Sequence, residues 1–227
     1  MSFIRANGIN QHYELTGNGD QTVVWIHGIG GSLNYWAEDL SKFSGFQHLA
    51  YDVRGMGETE GTSDAVSLEI WAKDLGELLK ALDIKNAIIA GSSMGGAIAQ
   101  RFAIDYPDQT TALLLLSTSS RVGAAATDHW RAQADETEKN GDKFLAEAQR
   151  AVAFYNMDEE LKDIAVTTLI LVGDADPTTP PGGSVIISRC IVDSELEIYA
   201  GLGHAPLHES DEPVERVQAW LATVQTT

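Results

Sequence analysis

The chain has 227 residues, 44% of them hydrophobic and 21% charged, the balance expected of a globular protein with a sizeable core. Acidic residues outnumber basic ones 33 to 15, and the net charge of −18 sets up a field that repels phosphate backbones and anionic lipid, so nucleic acid and membrane surfaces are poor partners. No apolar run approaches the roughly 18 residues of a membrane span. The opening MSFIRANGI lacks the apolar stretch of a secretory signal, so a cytoplasmic location is expected. The single cysteine, Cys190, excludes an internal disulfide and reads as a buried, inert thiol; no Cys/His cluster has zinc spacing.

In chain order, residues 2 to 6 and 10 to 16 flank Asn7-Gly8, a pair suited to the positive φ of a tight turn, and predict a hairpin. TVVWIHG at 22 to 28 follows as a strand, with a helix expected near Trp36, and QHLAYD at 47 to 52 is the next strand. Over 65 to 82, Leu68, Trp71, Leu75, Leu78, Leu79 and Leu82 recur at three and four residues with charges between, the pattern of a helix covering one sheet face. NAIIAG at 86 to 91 and TALLLLS at 111 to 117 are strands separated by a helical run. From about 121 to 164 the composition shifts to Ala, Asp, Glu and Lys, broken at Asn140-Gly141, and predicts a small helical insertion of two or three helices. Trp130, Phe144, Leu145, Phe154, Tyr155 and Met157 would form its apolar face. TTLILVG at 167 to 173 and ELEIYA at 195 to 200 complete eight strands, and a last helix begins after Ser210, whose neighbours Asp211 and Glu212 suit the positive end of its dipole. Short apolar runs alternating with helical segments predict an α/β protein of 1–227 as one domain, its sheet mostly parallel and covered on both faces.

Chemistry gathers at the ends of these strands. Ala90-Gly91-Ser92-Ser93-Met94-Gly95-Gly96 places a G-x-S-x-G between a strand and a helix. Such a turn lifts the Ser93 hydroxyl out of the sheet and aims the N-terminus of the next helix at it, and side chains at Gly91 and Gly95 would collide. The Met94 amide is then one oxyanion donor. The glycine-rich His27-Gly28-Ile29-Gly30-Gly31 after another strand offers the Ile29 amide as the second, with His27 itself a structural hydrogen-bonder. A serine needs a base and the base needs a carboxylate. Asp174 and Asp176 follow the strand at 167 to 173, and His204 and His208 follow the strand at 195 to 200, at the sheet edge where open α/β sheets place their sites. The order Ser, Asp, His is that of the α/β-hydrolases.

HGIGGS, Asp52-Val53-Arg54-Gly55-Met56-Gly57, GSSMGG, GDADPTTPP and GLGHAPLHESDEP together resemble the successive motifs of that fold family, most nearly its carboxylesterases and 3-oxoadipate enol-lactonase-like hydrolases. The resemblance implies an eight-stranded α/β-hydrolase fold, and hydrolysis of small carboxylic esters or lactones through an acyl-enzyme, with no cofactor and no metal. It selects Asp176 over Asp174 as the acid and His204 over His208 as the base, leaves Asp174 a solvated turn residue, and gives Asp52 and Arg54 a structural role. A carbon–carbon bond hydrolase, a perhydrolase, an acyltransferase and a non-catalytic ligand-binding protein share the scaffold. The insertion of 121 to 164 is short beside the cap of such relatives, which implies a shallow site for short acyl groups, walled by Ile29, Met94, Phe154 and Tyr155.

Overall fold

The computed structural model describes residues 2–61 and 66–224. Eight strands, β1 (Ser2–Ala6), β2 (Ile9–Gly17), β3 (Thr22–Ile26), β4 (Gln47–Tyr51), β5 (Ala87–Ser92), β6 (Thr110–Leu116), β7 (Thr168–Gly173) and β8 (Ser194–Tyr199), form one sheet in the order β1-β2-β4-β3-β5-β6-β7-β8. From β4 to β8 every pairing is parallel; β1 and β2 run antiparallel to their neighbours. The hairpin closes at Asn7 and Gly8, both with positive φ, and pairs Ala6 with Ile9. Central strands β3, β5 and β7 are buried along their whole length, as a sheet covered on both faces requires.

Seven helices accompany the strands among the described residues: α1 (Leu68–Ala81), α2 (Met94–Asp105), α3 (Ala124–Lys139), α4 (Lys143–Val152), α5 (Pro181–Cys190), α6 (Pro206–Glu209) and α7 (Asp211–Val224). Two apolar layers result. On one face Leu75, Leu78 and Leu79 of α1 and Ile98 and Phe102 of α2 pack against Val24, Ile89 and Leu113; on the other, Trp36, Trp220 and Val217 pack against Trp25, Ile88 and Leu171. Ser67 caps α1 by accepting from the Ile70 amide, so the helix starts at Leu68, and residues 62–65, where its beginning was expected, lie outside the described residues. Ser210 accepts from the Glu212 amide at the start of α7.

The region around Trp36 departs from expectation. Leu33–Trp36 and Leu40–Lys42 form single 3₁₀ turns, with Leu33, Trp36, Leu40 and Phe43 turned inward and Asn34, Glu38 and Ser41 exposed, and the run divides at Asp39, which is buried and bonded to Lys42 and His208. Cys190 is half-buried. No described helix is long and apolar enough to cross a membrane.

Candidate active site

Ser93 stands between β5 and α2 with φ +56° and ψ −121°, a backbone state that a residue with a side chain keeps only when its surroundings enforce it. They do so on both sides of the peptide unit. The Ser93 amide donates to Leu116 O at 2.9 Å, while its carbonyl accepts from the Gly96 amide at 3.0 Å and from Thr118 Oγ1 at 2.7 Å. The flanking glycines are required by contact: a Cβ on Gly91 would lie 2.2 Å from Gly95 O, and one on Gly95 2.1 Å from Ile26 O. Strand and helix therefore close to backbone contact, and the serine is pushed out at the bend.

Met94 opens α2, so its amide has no partner within the helix. The loop after β3 crosses directly over the serine, since a Cβ on Gly28 would meet Ser93 Cβ at 3.3 Å. That loop is pinned by His27, which is wholly buried. Its Nε2 accepts from the Val53 amide at 3.0 Å, which leaves the proton on Nδ1 to donate to Gly28 O at 2.7 Å. Burial holds this imidazole below its ordinary pKa, against the smaller upward pull of the Gly28 carbonyl and Asp52. His27 is thus a neutral brace with both nitrogens occupied. Asp52 braces the same edge, accepting from the amides of Leu33 at 2.6 Å and Glu58 at 2.7 Å and lying 2.8 Å from His12 Nδ1. Arg54 is committed to Asp74 through Nε at 2.6 Å.

His204 and Asp176 come from the loops after β8 and β7. His204 Nδ1 lies 2.7 Å from Asp176 Oδ2. The carboxylate is almost fully buried and takes further bonds from the Thr178 amide at 2.8 Å, the Thr179 amide at 3.0 Å and Thr179 Oγ1 at 2.7 Å. Burial alone would raise its pKa, but His204 and the Thr179 donors outweigh that and hold Asp176 below the ordinary carboxylate value. Asp174 is exposed and accepts from the Gly201 amide at 2.7 Å. His208 is turned away, its Nε2 2.5 Å from Oδ2 of the buried Asp39. Of the four alternatives, the structure brings Asp176 and His204 to the serine's side of the sheet and gives the other two separate partners.

Two hollows meet at Ser93. One, of about 330 Å³, is lined by Ile29, Met94, Val122, Trp130, Val152 and Tyr155 among others. A second, of about 280 Å³, is lined by Gly28, Gly31, Tyr35, Ser93, Trp130 and His204 among others. The insertion thus roofs the first hollow with α3 and the end of α4. Phe154 does not take part as expected: it is 78% exposed. Residues 120 to 122 and 155 to 157 bridge through Arg121 and Asn156, with the Val122 amide donating to Tyr155 O at 3.1 Å. Phe154 lies in the bend between α4 and this bridge and turns to solvent, while Tyr155, at the start of the bridged segment, lines the hollow.

A sequence profile described as "alpha/beta hydrolase fold" matches residues 21–156. The chain belongs to the alpha/beta-hydrolase fold family. As a member of that family it is 30% identical over 116 residues to the dihydrolipoyllysine-residue acetyltransferase component of the acetoin cleaving system of Cupriavidus necator, covering 51% of this chain and 31% of that protein. It is 22% identical to 3-oxoadipate enol-lactonase 2 of Acinetobacter baylyi, with 86% of each chain covered. Among solved structures, a hydrolase from Pseudomonas aeruginosa PA01 superposes with a TM-score of 0.89 at 21% identity, over 97% of each chain, a likeness of fold.

Thr179 and Tyr35 carry site geometry that no motif announced. Thr179 joins β6 to the site, its one hydroxyl proton shared between Ser117 O and Asp176 Oδ2, each at 2.7 Å. A threonine three residues beyond an aspartate is the one local signal, since such hydroxyls cap nearby carboxylates.

Proposed function

We propose that this chain is a serine hydrolase of small carboxylic esters, with Ser93 as nucleophile, His204 as base and Asp176 as its orienting acid. The observation that carries the reading is one arrangement: Ser93 held at positive φ in a hollow it shares with His204, whose far nitrogen is bonded to the buried Asp176. A hydroxyl becomes a nucleophile only as a base takes its proton, and the base must keep its free nitrogen toward that hydroxyl. With Nδ1 committed to Asp176, Nε2 is the nitrogen left to accept. The Ser93 oxygen attacks the ester carbonyl, and the amides of Met94 and Ile29 hold the oxyanion as it forms. His204 returns the proton to the departing alcohol, then takes one from water, which attacks the acyl-enzyme. No step calls on a cofactor.

An ester or lactone as the bond cleaved is supported by the relative named 3-oxoadipate enol-lactonase, which this chain matches over most of its length. The first hollow, at about 330 Å³, stands at the lower end of the roughly 300–1,000 Å³ of small-molecule sites, which favours acyl groups near acetate to butyrate. The test is a series of p-nitrophenyl esters of rising acyl length, with Ser93→Ala as the control. Turnover should peak among the short esters, and the alanine protein, which carries the same Cβ through the same turn, should lose about 10⁶ in rate. Activity above a few per cent in that variant overturns the nucleophile. An octanoate ester favoured tenfold over butyrate in kcat/KM, a gain of about 1.4 kcal/mol, overturns the short-acyl preference.

A further inference from the structure

The two hollows at Ser93 are chemically distinct, and the reaction assigns them. His204 must hand its proton to the alcohol oxygen as the ester C–O bond breaks and the Ser93 O–acyl bond forms, so the alcohol has to lie against His204. His204 lines the second hollow and is absent from the wall of the first. The acyl group therefore takes the first and the alcohol takes the second, with Ile29, Trp130 and Thr178 lining both on either side of Ser93.

The alcohol-side hollow has a particular shape. Gly28 and Gly31 contribute no side chains, and its large side chains are those of Ile29, Tyr35 and Trp130, two of them aromatic. Tyr35 is not free to move aside. Its ring meets Trp36 edge-on at 4.7 Å between centroids and lies 4.6 Å from the ring of His208, and His208 is in turn tied to Asp39, which is fully buried and also holds Lys42 Nζ at 2.9 Å. Burial also keeps the phenol neutral, raising it from its ordinary value against the opposing pull of the Ser92 side chain. A ring fixed on its far side offers a preformed flat wall, which selects by shape without an ordering cost at the moment of binding.

We propose that Tyr35 is a specificity-determining residue, and that the preferred substrates are esters of small alcohols bearing a planar aromatic ring, seated against Tyr35 and Trp130. This rests on the esterase reading above and adds the leaving-group side to it. Asp39 and His208 act through Tyr35, as positioning residues.

Benzyl acetate and cyclohexylmethyl acetate carry alcohols of similar size, one flat and one puckered, with the oxygen on the same kind of carbon. The wild-type protein should favour benzyl acetate by at least about threefold in kcat/KM. Tyr35→Phe should keep that ratio and Tyr35→Leu should bring it to about one. A wild-type ratio near one, or a ratio unchanged in Tyr35→Leu, overturns the proposal. Should the leucine variant fail to fold, inhibition of wild-type p-nitrophenyl acetate hydrolysis decides it: benzyl alcohol must inhibit more strongly than cyclohexylmethanol, and equal inhibition overturns the assignment. Ester turnover that is absent, or that survives Ser93→Ala, removes the esterase reading and this one with it. Turnover that depends on Ser93 with no preference for the flat alcohol removes only this one.

Discussion

Asp174 and Asp176 leave the same strand two residues apart, and their surroundings give them different work. Asp176 is buried and bonded to His204 and to Thr179, whereas Asp174 is exposed and closes a turn with Gly201. Asp176→Asn should therefore lower kcat by roughly 10⁴, as loss of the orienting carboxylate does in such triads, while Asp174→Asn stays within a few-fold of wild type. Steady-state kinetics on p-nitrophenyl acetate distinguish the two, and the reverse ranking would make Asp174 the acid. Because its donors hold Asp176 below its ordinary value, any loss of activity between pH 7 and about pH 5 has to arise from another group. The placement of Ser93, Asp176 and His204 at strand ends is legible in the sequence because each sits in a short string whose glycines and prolines mark a strand end. That of Tyr35 is not, since what brings it to the site is a ring contact with His208, far along the chain. Phe154 was misread for a related reason: composition gives the apolar residues of an insertion but not the bend that turns one of them to solvent.

At the level of elements, the turn at Ser93 depends on backbone surfaces touching. Gly95→Ala would drive a methyl into Ile26 O at 2.1 Å, with rigid strand on one side and helix on the other, and should destabilise the protein by about 3 kcal/mol or more. Gly182, within α5, has nothing within 4 Å of an added Cβ, so Gly182→Ala should stabilise it by up to about 1 kcal/mol through helix propensity. Urea unfolding of both variants checks the pair, and comparable losses would mean that strand–helix contact at the elbow is not what fixes that glycine. Six strands follow from short apolar runs closed by turn residues, the opening pair from the Asn7-Gly8 turn, and α1 from its three-and-four spacing. The segment around Trp36 did not follow, because Leu33, Trp36, Leu40 and Phe43 recur at helical spacing with Asn34, Glu38 and Ser41 outward, and nothing local shows that Asp39 between them is buried against His208, far along the chain.

For the whole molecule, two histidines held neutral inside it make stability depend on pH just below neutrality. Burial lowers the pKa of both His27 and His48, in each case against a carbonyl that pulls it upward. A group whose folded pKa is depressed gives stability that is complete above its unfolded value of 6.5 and is lost as pH falls toward the folded value, because the unfolded chain takes up a proton the folded one refuses. Stability should fall below pH 6.5 by as much as about 1.4 kcal/mol per pH unit for each of the two. His48 lies between Trp25 Nε1 at 3.1 Å and Phe43 O at 2.7 Å, bonds that a glutamine can imitate without titrating. His48→Gln should flatten the fall by about half, as read from urea midpoints between pH 7 and 5. An unchanged slope would mean His48 binds its proton equally in both states.

The elements that carry the site are spread along nearly the whole chain. Ser93 follows the fifth strand, Asp176 the seventh and His204 the eighth, and β8 is the outermost strand on its side of the sheet. A chain emerging from the ribosome makes its N-terminal part first, so the hairpin, the Ser93 turn and the Gly28 loop can take shape while His204, the base of the proposed reaction, has not yet been synthesised. Until β8 docks on β7, the nascent protein carries a strained serine with no group to activate it. For the proposed reaction, synthesis itself would keep the half-made protein chemically silent until its last strand is in place.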